Sequence, residues 1–388
     1  MTLPQLLAQA CKKAGNAPAL RTERPTPAAP AKKGDPAPKS EPVEKWKTWT
    51  YNEYHAEIKT AARAFMGFGL EKHDAVTIYG FNAPEWHMAE LAAIEAGGIA
   101  AGIYPSDTPE QVTFKANHSG SVVAVCQSTK QLQVFIQSKR DGRLPKLKAV
   151  VVWTDDSWGC GSQVFPKDTA GLQVVFWKDL AKYAVSESKL MARTKSILPG
   201  NVCAYVFFFF RFTYSYLTHH TDSLTHTHNR YIYTSGTTGS PKAVMITHDN
   251  IVFEAKIAVH LLPQMGASEP ECVLSYLPLS HVAGMMVDIV CPVVMTACRP
   301  SYCTVYFARA YDLKLATIGD RLRAVRPSMF LGVRLCDLIF FVCSLTTHTH
   351  THTTHTGTKS MGENLRKDES NGSQESTYWC KIKTCIMG

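Results

Sequence analysis

Short apolar runs alternate along this chain with stretches whose apolar positions recur three and four residues apart, the periods of buried strands and packed helices. Ala75 to Gly80 reads as a strand, Pro84 to Gly97 carries helical spacing and stops at the Gly97-Gly98 pair, and Ile99 to Ile103 is the next strand. Together these make a βαβ unit. Thr108-Pro-Glu-Gln111 has the form of a capping box with proline at the first helical position, and the apolar runs Val122 to Cys126 and Lys148 to Trp153 flank a helical segment from Thr129 to Lys139. Strands alternating with helices predict an α/β fold with a doubly wound, mainly parallel sheet. Upstream, Arg21 to Glu44 is rich in Pro, Ala and Lys and poor in apolar residues, so it reads as a linker or surface loop, with the fold beginning near Trp46.

The same grammar returns later. Arg230 to Tyr233 and Ala243 to Ile246 are short strand candidates, and Asp249 is a candidate cap for a helix running through Leu262. Leu274 to Leu277 is another strand candidate, and His281 stands at the mouth of a helix containing Met285, Met286 and Ile289. Between the first two of these strands lies TSGTTGSPK, Thr234 to Lys242. Gly236 and Gly239 permit backbone conformations closed to other residues, so successive amides can turn inward around an anion. Ser235, Thr237 and Thr238 add hydroxyl donors and Lys242 adds charge, a set suited to the phosphates of a nucleoside triphosphate. A Walker A loop is excluded, because it needs glycine before its lysine and Ser or Thr after it, whereas Pro241 and Ala243 occupy those places. A glycine-rich hairpin turn is the bland alternative for such a run. On the residues alone His281 reads as a packed core histidine.

TSGTTGSPK resembles the signature loop of the adenylate-forming acyl-CoA synthetase and luciferase-like superfamily. SYLPLSHVAGMMVD, Ser275 to Asp288, is similar to the segment that follows the loop in that family, and Cys303 to Val333 resembles its long-chain branch, most closely the bubblegum-type fatty acyl-CoA synthetases. The resemblance covers most of residues 46 to 200 and 231 to 333. It implies the large N-terminal domain of adenylate-forming enzymes, truncated. It implies further that Thr234, Ser235, Gly236, Thr237, Thr238 and Gly239 bind nucleotide, and that Lys242 and His281 are the catalytic side chains, with His281 near the acyl carboxylate. The implied chemistry has two steps. A fatty carboxylate attacks the α-phosphate of ATP and releases pyrophosphate, then the CoA thiol attacks the acyl-adenylate, with Mg2+ neutralising charge.

Two departures matter. Ala243 stands where the family usually has glycine, and no segment resembling the family's magnesium-holding Glu, its ribose-binding Asp or its C-terminal catalytic lysine is found. The chain is therefore expected to be inactive as it stands. Val202 to Arg230 and the stretch from Arg334 onward both run from Phe-rich residues into alternating Thr and His, the product of an AC dinucleotide repeat. Both read as translated introns, the first a spurious insert at 202–230, the second a low-complexity tract and non-family tail at 334–388. His348, His350, His352 and His355 lie in the repeat without carboxylate or cysteine spacing, so no metal site is assigned.

Composition changes the picture little. With 388 residues, 45% hydrophobic and 19% charged, the chain can bury a large core. The net charge of +9 is dispersed and no basic-aromatic motif accompanies it, so no nucleic-acid partner is expected. Its 12 cysteines lack CxxC pairs and suit reduced thiols, and the N-terminus lacks the basic and apolar regions of a secretory signal, so a cytoplasmic setting is expected. No apolar run reaches the about 20 residues a membrane helix needs. Peripheral contact with an intracellular membrane stays open on the resemblance. Besides a fatty acid-CoA ligase, a non-catalytic ATP- or acyl-binding relative and a different adenylating ligase remain as alternatives.

Overall fold

A computed structural model describes residues 1–30, 38–154, 164–207, 243–332 and 341–342. The chain divides into two compact units, Met1–Arg326 and Pro327–Gly388.

The first unit opens with α1 (Leu3–Ala14), β1 (Pro18–Thr22), β2 (Lys47–Thr50) and α2 (Tyr51–Gly67). A run of βα units follows: β3 (Ala75–Tyr79), α3 (Pro84–Glu95), β4 (Ile99–Ile103), α4 (Pro109–His118), β5 (Ser121–Cys126), α5 (Thr129–Arg140), β6 (Ala149–Val152), β7 (Gln173–Phe176) and α6 (Glu187–Lys195). Then come β8 (Val202–Phe207), β9 (Ala243–Thr247), α7 (His248–Leu261) and β10 (Glu271–Ser275). A helical run of α8 (Val282–Gly284), a π-helical turn Met285–Val290 and α9 (Cys291–Cys298) leads to β11 (Cys303–Phe307) and α10 (Ile318–Val325). In the second unit β12 (Leu331–Gly332) pairs antiparallel with β13 (Phe341–Val342).

Seven strands form one sheet in the order β7-β6-β5-β3-β4-β8-β9, and four form another in the order β10-β11-β1-β2. Every neighbouring pair in the seven-stranded sheet is parallel except β8 with β9. All residues of β3, β5 and β6 are buried, as expected of a parallel sheet covered on both faces. All twelve residues of α3 are buried, and the helix touches β3, β4 and β1. The helix has no solvent face, although it carries Glu85, His87, Glu90 and Glu95, because it lies between the two sheets. The α/β class with mainly parallel, doubly wound sheets is what the pattern predicts.

Several boundaries differ from the sequence reading. The fold begins at Leu3 rather than near Trp46: Leu3, Leu6, Leu7 and Ala10 of α1 are buried at helical spacing, and β1 sits inside the four-stranded sheet between β11 and β2. The supposed linker is anchored as well, because Glu23 is buried and accepts from Arg309 Nε at 2.7 Å and from Arg321 Nη2. Thr247, with Asn250 in a capping box, caps α7 in place of Asp249. The strand expected at Leu274 to Leu277 runs from Glu271 to Ser275 and ends before Pro278. The first unit ends at Arg326, whose left-handed φ of 50° and ψ of 57° stop α10 directly before Pro327, rather than after Val333.

The expected insert changes most. Val202–Phe207, its first six residues, are not foreign to the fold: they form β8, parallel to β4 through Ala100↔Ala204 and antiparallel to β9 through Phe207↔Ala243. Cys203, Ala204 and Val206 of this apolar run are buried. Residues 208–242, which include the rest of that insert, the Arg230 to Tyr233 strand and the loop Thr234 to Lys242, lie outside the described residues, as do the Thr-His tract and tail.

Candidate active site

The carboxyl ends of parallel strands are where open α/β sheets bind ligands, because loops diverge there and leave a crevice. Two independent stretches of chain reach those ends. Ala243, which directly follows Lys242, pairs with Phe207 at the carboxyl end of β8. His281 follows the carboxyl end of β10 in the other sheet.

The segment from Leu277 to His281 is gripped from three directions. Asn82, just beyond β3, donates from Nδ2 to the Leu277 carbonyl at 2.8 Å and to Ser275 Oγ at 2.9 Å. Gly102 in β4 lies so close that a Cβ there would stand 2.8 Å from Ser280 Cα. Gly284 in α8 presses on the other side, where a Cβ would stand 2.4 Å from the Pro278 carbonyl oxygen. Only glycine fits either contact, since both opposing atoms belong to backbone.

His281 caps α8 with an extended backbone, φ −95° and ψ 140°, and its Nδ1 accepts from the Ala283 N–H at 3.1 Å. An Nδ1 that accepts leaves the proton of the neutral ring on Nε2, and burial holds the imidazole below its ordinary pKa. His281 is thus a neutral donor through Nε2–H, suited to a carboxylate or phosphate oxygen and unsuited to carrying charge at pH 7.

Beside it, the π-helical turn widens the helix at Met285–Val290, a distortion frequent at functional sites. Asp288 on that turn is buried, and desolvation pushes its carboxyl up to about 8 despite a hydrogen bond from Ser275. Its Oδ2, like Ser280 Oγ, meets no hydrogen-bond partner among the described residues. Met285, Ile289 and Val290 of the same turn are buried and apolar.

Of the expected site residues, the structure thus describes His281 alone, and Thr234, Ser235, Gly236, Thr237, Thr238, Gly239 and Lys242 fall outside the described residues. Among the described residues no group of three or more His, Cys, Asp or Glu side chains is arranged for a metal ion. Sequence reasoning missed Asn82, Ser275 and Asp288. The sequence shows only that Asn82 stands in the loop after the Ala75 to Gly80 strand, not what it touches.

Two mainly parallel sheets meeting at such an edge define a doubly wound α/β protein with its ligand crevice at the strand carboxyl ends. Residues 26–332 match the AMP-binding enzyme family, and the chain belongs to it. Within the family it is similar to bubblegum-type long-chain-fatty-acid--CoA ligases. It is 32% identical over 293 residues to ACSBG2 of Xenopus laevis, covering 75% of this chain and 34% of that protein. It is 30% identical over 335 residues to heimdall of Drosophila melanogaster, covering 86% and 41%. The chain therefore spans about a third to two fifths of the length of these relatives. Among solved structures it matches the anthranilate CoA ligase AuaEII in complex with anthranoyl-AMP, with TM-score 0.57 and 17% identity over 85% of this chain and 49% of that one. The fatty acid AMP ligase from Legionella pneumophila matches with TM-score 0.54 and 13% identity, covering 85% and 44%. Both likenesses concern the fold.

Proposed function

We propose that this chain carries the ATP- and acyl-handling portion of a long-chain fatty acid-CoA ligase, the activity named for its curated relatives. The observation that carries this reading is an adjacency. Ser280 abuts Gly102 of β4, β4 pairs with β8, and β8 ends opposite Ala243, the residue after the loop's lysine. The residue that follows the loop and the histidine segment therefore lie along one edge.

In this reading Thr234, Ser235, Gly236, Thr237, Thr238 and Gly239 cradle the β- and γ-phosphates and Lys242 offsets their charge. The Nε2–H of His281 donates to the acyl carboxylate or the adjoining phosphate, orienting the nucleophile without taking up a proton. The buried methionine and aliphatic side chains after His281 line the acyl chain. CoA enters as co-substrate, and turnover calls for the magnesium, ribose and lysine segments that the family resemblance implies and these 388 residues do not show. A cytoplasmic setting with peripheral membrane contact accords with a substrate that partitions into bilayers. Among the described residues no helix is long and apolar enough to cross a membrane.

The Thr-His stretch belongs to the same proposal, with its start moved. β8 needs its residues through Phe207, so the translated intron lies between Phe207 and Tyr231. Messenger RNA lacking those codons supports this, and messenger RNA retaining them in full-length transcripts opposes it.

Titration of the full chain with ATP tests the function. Saturable binding that weakens at least about tenfold when Thr237 and Thr238 are both replaced by alanine is expected. Binding indifferent to that change, or absent, overturns the assignment.

A further inference from the structure

Asn82 belongs to no part of the loop or of the histidine segment, yet its amide holds the strand end of the connection that carries His281. It is buried, and one nitrogen makes two bonds: to Ser275 Oγ at 2.9 Å and to the Leu277 carbonyl at 2.8 Å. Ser275, the last residue of β10, in turn hydrogen-bonds the buried Asp288 on the π-helical turn. One amide from the edge of the seven-stranded sheet therefore holds the exit of a strand in the other sheet and, through Ser275, the helix beyond His281. Buried polar atoms are costly to leave unpaired, so this arrangement has few alternatives once the sheets have packed.

We infer that Asn82 is a positioning residue for His281, fixing the Leu277–His281 segment through the Leu277 carbonyl and Ser275. The inference rests on the placement of His281 in the acyl-activating site, but the positioning itself can be read without ligand. Loss of the amide frees the Leu277 carbonyl and opens the segment to water, which undoes the burial that holds the His281 imidazole low. Asn82→Asp is the informative isostere: it keeps the shape and removes both donors, setting carboxylate oxygen against carbonyl oxygen.

The test uses the full 388-residue chain with Asn82→Ala, Asn82→Asp and Ser275→Ala, read by hydrogen exchange and by NMR titration of the His281 ring. In both Asn82 variants, exchange across 277–284 should rise at least about tenfold while the strand Ala149–Val152 stays protected. The His281 titration should move up toward the ordinary histidine value. Ser275→Ala, which keeps the Leu277 bond, should show the smaller change of the same kind. Unaltered exchange and titration in Asn82→Asp overturn the positioning role. If an Asn82 variant loosens the whole chain, Ser275→Ala decides: a local shift of the His281 titration supports the role and no shift overturns it. ATP affinity measured on the same proteins reports on the functional reading separately.

Discussion

The seven-stranded sheet takes five strands, β3 to β7, from consecutive βα units, whereas the four-stranded sheet pairs Leu20 with Val305 and Arg21 with Tyr306 from opposite ends of the first unit. In the first, β3 meets β4 across α3 and β5 meets β6 across α5, while β8 joins β4 from farther along the chain. The second needs a long loop closure, and it is sealed by buried charge. Glu23 accepts from Arg309 and Arg321, Arg321 donates to Asp312 Oδ2 at 3.0 Å, and the Arg321 guanidinium lies over Trp46 at 5.0 Å. The lesson is that apolar runs alone build one sheet, while the other depends on a specific ionic network that a single substitution can break.

The largest expected effect comes from breaking that network. Glu23→Ala leaves two buried guanidinium groups short of a partner and should cost about 3–5 kcal/mol. Thermal unfolding should show a midpoint lower by roughly 10 °C, with exchange rising in β1 and β11 before β5. A loss confined to β5 and β6 would reverse the comparison. Next is Leu6→Ala in α1, where a fully buried side chain is truncated for about 2–4 kcal/mol. An unchanged midpoint would return the start of the fold to near Trp46. Gly102→Ala sharpens the comparison at the contact between the sheets. Its methyl would meet Ser280 backbone at 2.8 Å, so about 1–3 kcal/mol should be lost, with raised exchange near His281.

The smallest effect is in pH dependence. Burial pushes Asp288 and Glu90 up to about 8 and Glu95 to about 7. A carboxyl whose folded pKa lies above its unfolded one contributes stability present below the unfolded value and lost as pH rises through the folded one. His55, His87 and His248, held by burial to about 4, 3 and 4, act oppositely, so stability is lost as pH falls below the ordinary histidine range. Stability should therefore decline between pH 6.5 and 8.5, and Asp288→Asn should flatten that decline. A midpoint that rises with pH over this window would contradict the sign.

The two sheets also differ in how far the amino-acid sequence discloses them. Strands β3 to β6 and helices α3 to α5 follow from period and from caps such as Thr108, because each carries its own apolar pattern. β1 is five residues of ordinary polarity, PALRT, and becomes a strand only because β11 and β2 flank it. Helix α1 is readable in the sequence, since Leu3, Leu6, Leu7 and Ala10 recur at helical spacing on one buried face. β8 was hidden differently: its apolar residues merge with the Phe-rich run that follows, and only pairing with β4 and β9 shows where the sheet stops using them. At the candidate site, only the segment around it singles out His281. Asn82 acts across the two sheets, on Ser275 and Leu277, and no local pattern encodes a contact at that separation.

Photo-crosslinking the full chain with an azido-ATP, followed by peptide mapping, tests most directly whether the two carboxyl edges form one site. The expected result is ATP-protected labelling of both the Thr234–Lys242 loop and the Leu277–Asp288 segment. Labelling of the loop without that segment, or of neither under saturating ATP, would contradict the convergence of loop and histidine on one edge.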